Sequence, residues 1–371
     1  VDSISREELS KALRLLKVYG GRVGNWTFPH ASTKRGPQGQ ALLSALSELT
    51  EYPHELLSCI KEVGGDSLSC MIEANIEGLD ILEAVKPKGF TGVFSVSAWW
   101  NRLFPTKSKS LRKFSYFPDK EGKDRVIAIV DYWSQCALKP LHHHLNGILK
   151  RIPTDCTFDQ GSFTSSLPPI LPDGNSFHSI DLSAATDRMP ISLQKRVISH
   201  VFGSEQKSNS WATILVGLPF NFRKPDKSVI QIKYAAGQPM GAYSSWPSMA
   251  LTHHVIVQVA AIRAFKKLGV NLKSLFSEYS LLGDDLMIRH DLVAAEYKHL
   301  IKTLHMPYSE AKTHTSLLGG EFAKRWFYKG VEITGFSIHG LSSVWKSYPQ
   351  LLNFMQNQGS HGWELPMERH P

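Results

Sequence analysis

Cysteine is scarce in this chain: four in 371 residues, Cys59, Cys70, Cys136 and Cys156. None forms a C-x-x-C pair, which argues against a zinc ribbon or a disulfide framework and suits a reducing compartment. No apolar run approaches the roughly 18 residues of a membrane helix. The first residues do not read as a secretory signal, and no internal repeat is visible. Acidic side chains are in the minority, 33 Asp+Glu against 42 Lys+Arg, for a net charge of +9. That balance favours a polyanionic partner such as nucleic acid, although many basic proteins bind none.

What is present is a globular composition, 42% hydrophobic and 20% charged, long enough for two or three subdomains. The chain begins at Val1 instead of Met, as expected of a fragment or a processed product. Its most informative stretch is Ser280-Leu281-Leu282-Gly283-Asp284-Asp285-Leu286-Met287-Ile288. Two apolar runs of strand length flank a glycine and paired aspartates, and glycine takes the positive φ of a tight turn freely. Carboxylates at the tip of a buried hairpin repel each other unless a cation sits between them. A plain Gly-Asp turn is the ordinary alternative, because three residues alone are a weak motif.

Residues 1–110 read as mostly helical. Ser5 and Glu8 have capping-box spacing ahead of Leu9, Ala12, Leu13 and Leu16, with Gly20-Gly21 as the stop. A second helix is expected from Ala41 to about Val63. Trp99, Trp100, Arg102, Phe104 and Lys107 mix aromatics with bases, either as a base-stacking surface or as packed core. Lys120, Lys123 and Arg125 precede Val126 to Val130, which reads as a fully buried strand. Bases at a strand entrance can hold phosphates or form a solvated cluster. Asp131 can cap a helix running toward Leu149, kinked at Pro140. His142-His143-His144 is discounted as a metal site, since successive helical positions point in different directions. Pro168, Pro169 and Pro172 suggest a subdomain boundary.

Asp181 lies between Ile180 and Leu182, as at a strand end. Asp187 and Arg188 follow a run of small residues, and Pro190 opens a new element. Two strand-borne acidic sites about a hundred residues apart suit a two-metal phosphoryl-transfer centre. Between them, Gly237 to Pro247 is a loop rich in Gly and Ser, running into an apolar helix that ends near Lys267. Ser245 can cap that helix, and the loop can offer N–H groups and hydroxyls to a nucleotide or template strand. Asp291 can cap a further amphipathic helix, and Lys312 follows it. Glu321 to Tyr328 reads as one basic, aromatic hairpin arm turning at Lys329-Gly330, a nucleic-acid support or an edge blunted by charge. The tail from Ser342 is short, and from Gln356 loose order is expected.

In this order the elements resemble the template-dependent polymerases of RNA viruses, more narrowly the RNA-dependent RNA polymerases of mitoviruses. Lys123 to His142 resembles the family's basic finger motif, Asp181 to Arg188 its first palm motif, and Gly237 to His254 its template- and sugar-sensing loop and helix. Gly283-Asp284-Asp285 resembles its third motif, and Lys312 with Glu321 to Arg325 the two that follow. The resemblance runs from about Phe117 to Phe336.

It implies an α+β, right-hand polymerase fold. The palm, an antiparallel sheet plus helices, would occupy 177–340 with an inserted finger segment at about 204–236. A helical region at 1–115 would belong to the fingers, 116–176 would carry their nucleotide-contacting motif, and 341–371 would form a short or truncated thumb. The implied reaction is nucleotidyl transfer from NTPs to an RNA 3′-hydroxyl by two metal ions, replicating a mitovirus-like genome. RNA template, nascent RNA and NTPs would be the partners and the mitochondrion the location. Asp181, Asp284 and, more peripherally, Asp285 would hold Mg²⁺, with Mn²⁺ as an alternative, because all these ligands are hard oxygens. Asp187 would sense the ribose 2′-hydroxyl, helped by Ser244 or Ser245. Lys123, Arg125 and Arg188 would neutralise the triphosphate, and Lys312 would protonate pyrophosphate. Gly237, Gln238, Gly241, Lys324 and Arg325 would contact RNA. Three other readings stay open: a non-catalytic virus-derived copy that binds RNA, a reverse transcriptase sharing the palm, and a metal-dependent hydrolase of unrelated fold.

Overall fold

The computed structural model describes residues 3–21, 23–26, 35–37, 39–84, 110–118, 124–161, 163, 167–361 and 363. Trp99, Trp100, Arg102, Phe104, Lys107, Lys120 and Lys123 lie outside the described residues. Along the chain run α1 (Arg6–Leu15), β1 (Arg35–Gly36), β2 (Gly39–Gln40), α2 (Ala41–Leu49), α3 (His54–Gly64) and α4 (Asp66–Ala84). Then come β3 (Lys113–Pro118), β4 (Asp124–Ile129), α5 (Tyr132–Leu149), β5 (Phe177–Asp181), α6 (Ala185–Arg188), α7 (Ile191–Phe202) and α8 (Glu205–Val216). These are followed by β6 (Phe220–Arg223), β7 (Val229–Ile232), α9 (Ser245–Lys267), β8 (Tyr279–Leu282), β9 (Asp285–Ile288) and α10 (Asp291–Thr303). Last are β10 (His314–Ser316), β11 (Gly319–Phe322), β12 (Arg325–Tyr328), β13 (Val331–Glu332), α11 (Ile338–Val344) and α12 (Tyr348–Ser360). Two compact units emerge, one of Val1–Arg151 with Ala184–Val255 and one of Ile152–Ser183 with Ile256–Pro371.

In the first unit the capping box of α1 is formed: Ser5 Oγ accepts the Glu8 N–H at 3.1 Å, and Glu8 Oε2 accepts the Ser5 N–H at 2.8 Å. The single helix expected from Ala41 is two helices, α2 and α3, because Pro53 disfavours a helical residue before it and stands as the cap of the next helix. Asp131 caps α5, accepting the Ser134 N–H at 2.8 Å. A four-stranded sheet has the order β4-β3-β6-β7. β4 is not the fully buried strand expected, since Val126 is 45% exposed. The parallel pairing of β3 with β6 is confined to Lys113 and Asn221, so the far half of the β3–β4 ribbon extends past the strand that supports it. A buried polar centre holds the near ends of both strands. Arg112, just before β3, pairs with Asp131, just after β4, at 3.4 Å, and neither side chain reaches solvent. Tyr52 donates its hydroxyl to Asp131. Glu48 accepts the Tyr132 N–H at 2.8 Å and the Ser44 hydroxyl at 3.0 Å.

The second unit is built on an antiparallel sheet of order β10-β5-β9-β8. β5, β9 and β8 are buried along most of their length, while the edge strand β10 is half-buried. Phe177 and Met287 pack with Cys156, Phe163, Leu171, Phe322 and Phe327, which joins this sheet to the three-stranded sheet β11-β12-β13. The expected single arm from Glu321 to Tyr328 is broken into β11 and β12 by Ala323 and Lys324, both at positive φ. α10 is capped by His290; Asp291 instead accepts the Ser176 N–H and pairs with His178 Nε2, both at 2.8 Å. Gln356, expected in a loose tail, lies inside α12. Among the described residues no helix is long and apolar enough to cross a membrane, and all four cysteines are free thiols.

Candidate active site

The carboxylates gather at one end of the buried sheet of the second unit. β5 and β9 set Asp181 directly opposite Asp285, and the Leu182 N–H donates to the Asp284 carbonyl at 3.3 Å. Gly283, at φ 63°, supplies the turn that places Asp284 between β8 and β9. The chain from Pro307 to Ser309 braces the end of β5: the Ser183 N–H donates to the Pro307 carbonyl, and the Ser309 N–H to the Asp181 carbonyl, each at 2.9 Å.

Asp285 stands opposite Asp181 at the sheet end, where the carboxylates of Asp284, Asp181 and Glu321 act on it. Burial, then the charges of Asp284, Asp181 and Glu321, push its pKa up. Crowded carboxylates of this kind are relieved by a divalent cation, and an all-oxygen donor set suits a hard one. Among the described residues no three or more His, Cys, Asp or Glu side chains are grouped so that they could hold a metal ion as they stand. Lys312 Nζ lies 3.0 Å from Asp181 Oδ2, which puts its ammonium on the carboxylates themselves.

The Gly/Ser loop belongs to the first unit, where it is stitched to the segment carrying Asp187. The Gly237 N–H donates to the Asp187 carbonyl and the Gln238 N–H to the Thr186 carbonyl, both at 3.0 Å. A Cβ at Gly237 would stand 2.2 Å from the Thr186 carbonyl oxygen, so only glycine allows this approach. Gly241, at φ 117°, packs against the Ala128 carbonyl.

Gln238, Ser244 and Ser245 do not face outward as expected. Gln238 is fully buried, donating Nε2–H to Gln194 Oε1 at 2.6 Å and to the Ser245 carbonyl at 2.9 Å. The Ser244 hydroxyl accepts the Trp211 indole N–H at 2.9 Å, and Ser245 is buried beside it. Buried polar groups need such partners, and these side chains shape the loop from inside. His142 also holds the loop, its Nδ1 accepting the Ser244 N–H at 3.2 Å, and burial lowers its pKa so that the ring can accept.

Arg125 and Arg188 are exposed, on β4 and at the end of α6. Asp187 is exposed as a residue, yet burial around its carboxyl raises its pKa against a Tyr234 hydrogen bond and the Arg188 charge. Arg325 is spent within the protein: it pairs with Glu332 and donates to the Gln160 carbonyl at 2.9 Å, contrary to its expected RNA contact. Lys324 sits in the β11–β12 turn with its N–H on Glu321 Oε1 at 2.6 Å. Tyr234, Gln194, Trp211 and His142 were not singled out for these roles in the sequence, since each acts through a partner dozens of residues away.

The family model described as mitovirus RNA-dependent RNA polymerase matches residues 25–362. The chain belongs to the mitovirus RNA-dependent RNA polymerase family. It is 41% identical over 214 residues to the RNA-directed RNA polymerase of Cryphonectria parasitica mitovirus 1, covering 57% of this chain and 25% of that one. It is 37% identical over 183 residues to the uncharacterized mitochondrial protein AtMg01110 of Arabidopsis thaliana, covering 49% of this chain and 70% of that one. Among solved structures it is similar to an insertion loop deletion mutant of the RNA-dependent RNA polymerase of a human picorbirnavirus. The TM-score is 0.50 at 13% identity, over 68% of this chain and 55% of that chain. At such identity the likeness speaks for the fold alone, and it agrees with the α+β polymerase architecture. The chain spans a quarter of the length of its mitovirus relative and about half that of the solved polymerase.

Proposed function

We propose that this mitovirus-family chain performs template-directed nucleotidyl transfer, joining the α-phosphate of an NTP to an RNA 3′-hydroxyl with release of pyrophosphate. The observation that carries the proposal is the pairing of Asp181 with Asp285 beside the Asp284 turn. Magnesium held by Asp181, Asp284 and Asp285 would neutralise phosphate charge and activate the attacking hydroxyl. The protein's own part is mainly positioning, as phosphoryl transfer needs little covalent help from side chains.

The tip of β5 and the β8–β9 turn hold the carboxylates at one sheet end. Arg125 and Arg188 supply charge to the triphosphate. Asp187 reads the ribose 2′-hydroxyl, which separates RNA from DNA substrates. Lys312, already on Asp181, balances the carboxylates and delivers a proton to the leaving pyrophosphate. The partners are an RNA template, its nascent copy and NTPs. Action in the mitochondrion is supported by the mitovirus relative and by the mitochondrial proteins of Arabidopsis thaliana.

Purified chain with a short primed RNA, labelled NTPs and Mg²⁺ tests this. Wild type extends the primer, and Asp284→Asn loses at least about a hundredfold in rate while still binding RNA. Normal extension by the variant refutes the assignment, and RNA binding without extension by wild type favours the non-catalytic copy.

A further inference from the structure

The polymerase reading leaves the segment after β7 without a task, yet one of its side chains reaches the carboxylate assigned to the sugar. Tyr234 follows β7 by two residues and lies three before Gly237. Its ring packs against both Phe114 and Phe220, at centroid distances of 5.9 and 5.6 Å. Those two rings stack on each other at 5.0 Å, and the Arg112 guanidinium lies 5.6 Å from the Phe220 centroid. The ring position is therefore fixed, and the hydroxyl direction with it.

The groups that act on that hydroxyl are the Asp187 carboxyl and the Met240 backbone of the Gly/Ser loop. Tyr234 and Asp187 line one cavity of about 330 Å³ whose remaining lining includes Phe114, Val126, Phe222 and Ile232. Met240 in turn receives the Ala128 N–H of β4 at 2.9 Å on its carbonyl.

We infer that Tyr234 is the positioning residue for sugar selection, holding the Asp187 carboxyl in the direction that meets a ribose 2′-hydroxyl. The inference rests on the proposed role of Asp187 and extends it. A free carboxylate on the four-residue helix α6 would swing among rotamers, and a single fixed donor on one oxygen leaves the other to accept from the sugar. Selection of ribose thereby depends on the inserted segment and on the Gly/Ser loop, which meet at Tyr234. The electrostatics agree: Tyr234 is raised by burial and then by the Asp187 charge, the signature of a hydroxyl kept as a donor.

The test is the ratio of ATP to 2′-deoxy-ATP dissociation constants, read by titration calorimetry on the full chain with Mg²⁺ and a short hairpin RNA, so that no turnover is needed. Tyr234→Phe keeps the ring packing and removes only the hydroxyl. It should shrink the preference for ATP by about tenfold with the melting temperature unchanged, mainly by weakening ATP and not 2′-deoxy-ATP. Asp187→Ala is run beside it and should erase the preference. A Tyr234→Phe chain with wild-type preference, next to an Asp187→Ala chain without one, overturns the role of Tyr234 and leaves Asp187 as the sugar sensor. An Asp187→Ala chain that still prefers ATP, or a wild type that binds both alike, overturns the role of Asp187 itself. Should Tyr234→Phe melt early, Phe114→Leu, which loosens the packing of the Tyr234 ring and keeps the hydroxyl, must also lower the preference; if it does not, the positioning role is refuted.

Discussion

The two four-stranded sheets are made of similarly apolar strands and treat them in opposite ways. β8 and β9 bury three residues in four, whereas all four residues of β7 are exposed. The buried sheet packs Phe177 and Met287 in one cluster with Phe163 and Phe322, and its paired aspartates lie at the strand ends. The exposed sheet is held at its base by Arg112 and Asp131, while Tyr116, Phe117 and Val126 extend outward. The first arrangement holds its carboxylates at one strand end. The second frees a strand surface while anchoring its root with charge.

The difference can be broken most severely at that root. Arg112→Leu strands Asp131 without its buried partner, and urea unfolding should show a loss of about 3–5 kcal/mol. Next, Met287→Ala in the buried sheet removes packing against Phe177 and Phe322 and should cost about 2–5 kcal/mol, whereas Ile230→Thr on β7 should stay within about 0.5 kcal/mol. Equal costs at these two positions would show that the sheets are not different in kind.

A finer effect concerns Glu48. Burial, and then the Asp131 charge, raise its pKa to about 8. The folded chain thus keeps a proton that the unfolded chain releases in the ordinary carboxylate range. The stability contributed by Glu48 should be fully present below that range and be lost as pH rises through about 8. Glu48→Gln, which mimics the protonated form, should flatten that slope in a series of melts from pH 5 to about 8.5. An unchanged slope would assign the pH dependence to other groups.

Features encoded by neighbours in sequence were legible: the Ser5–Glu8 box, the Asp131 cap, and the Gly283 turn between two strands. The family resemblance supplied the architecture, which no local pattern contains. The misreadings share a physical origin. Val126 to Val130 is apolar enough for a core strand, but burial depends on what stacks on it, and β6 stops short. The turn at Ala323-Lys324 uses two non-glycine residues at positive φ, against their local preference, because the pairing of β11 with β12 overrides it. Ser244 and Ser245 looked like donors to a ligand, and only tertiary contact with Trp211 reveals that the Ser244 hydroxyl is already engaged. Pro53, by contrast, was a readable break that the apolar periodicity on either side obscured.

The backbone seam between Gly237 and Thr186 sets where this part of the gene is free to drift. Ala235 and Ala236 show their side chains to solvent, so a saturation library should accept nearly every codon there. One position later, the smallest added methyl group would collide with a carbonyl that has nowhere to retreat. A single intolerant codon beside two permissive ones is the imprint such close backbone contact leaves on inheritance.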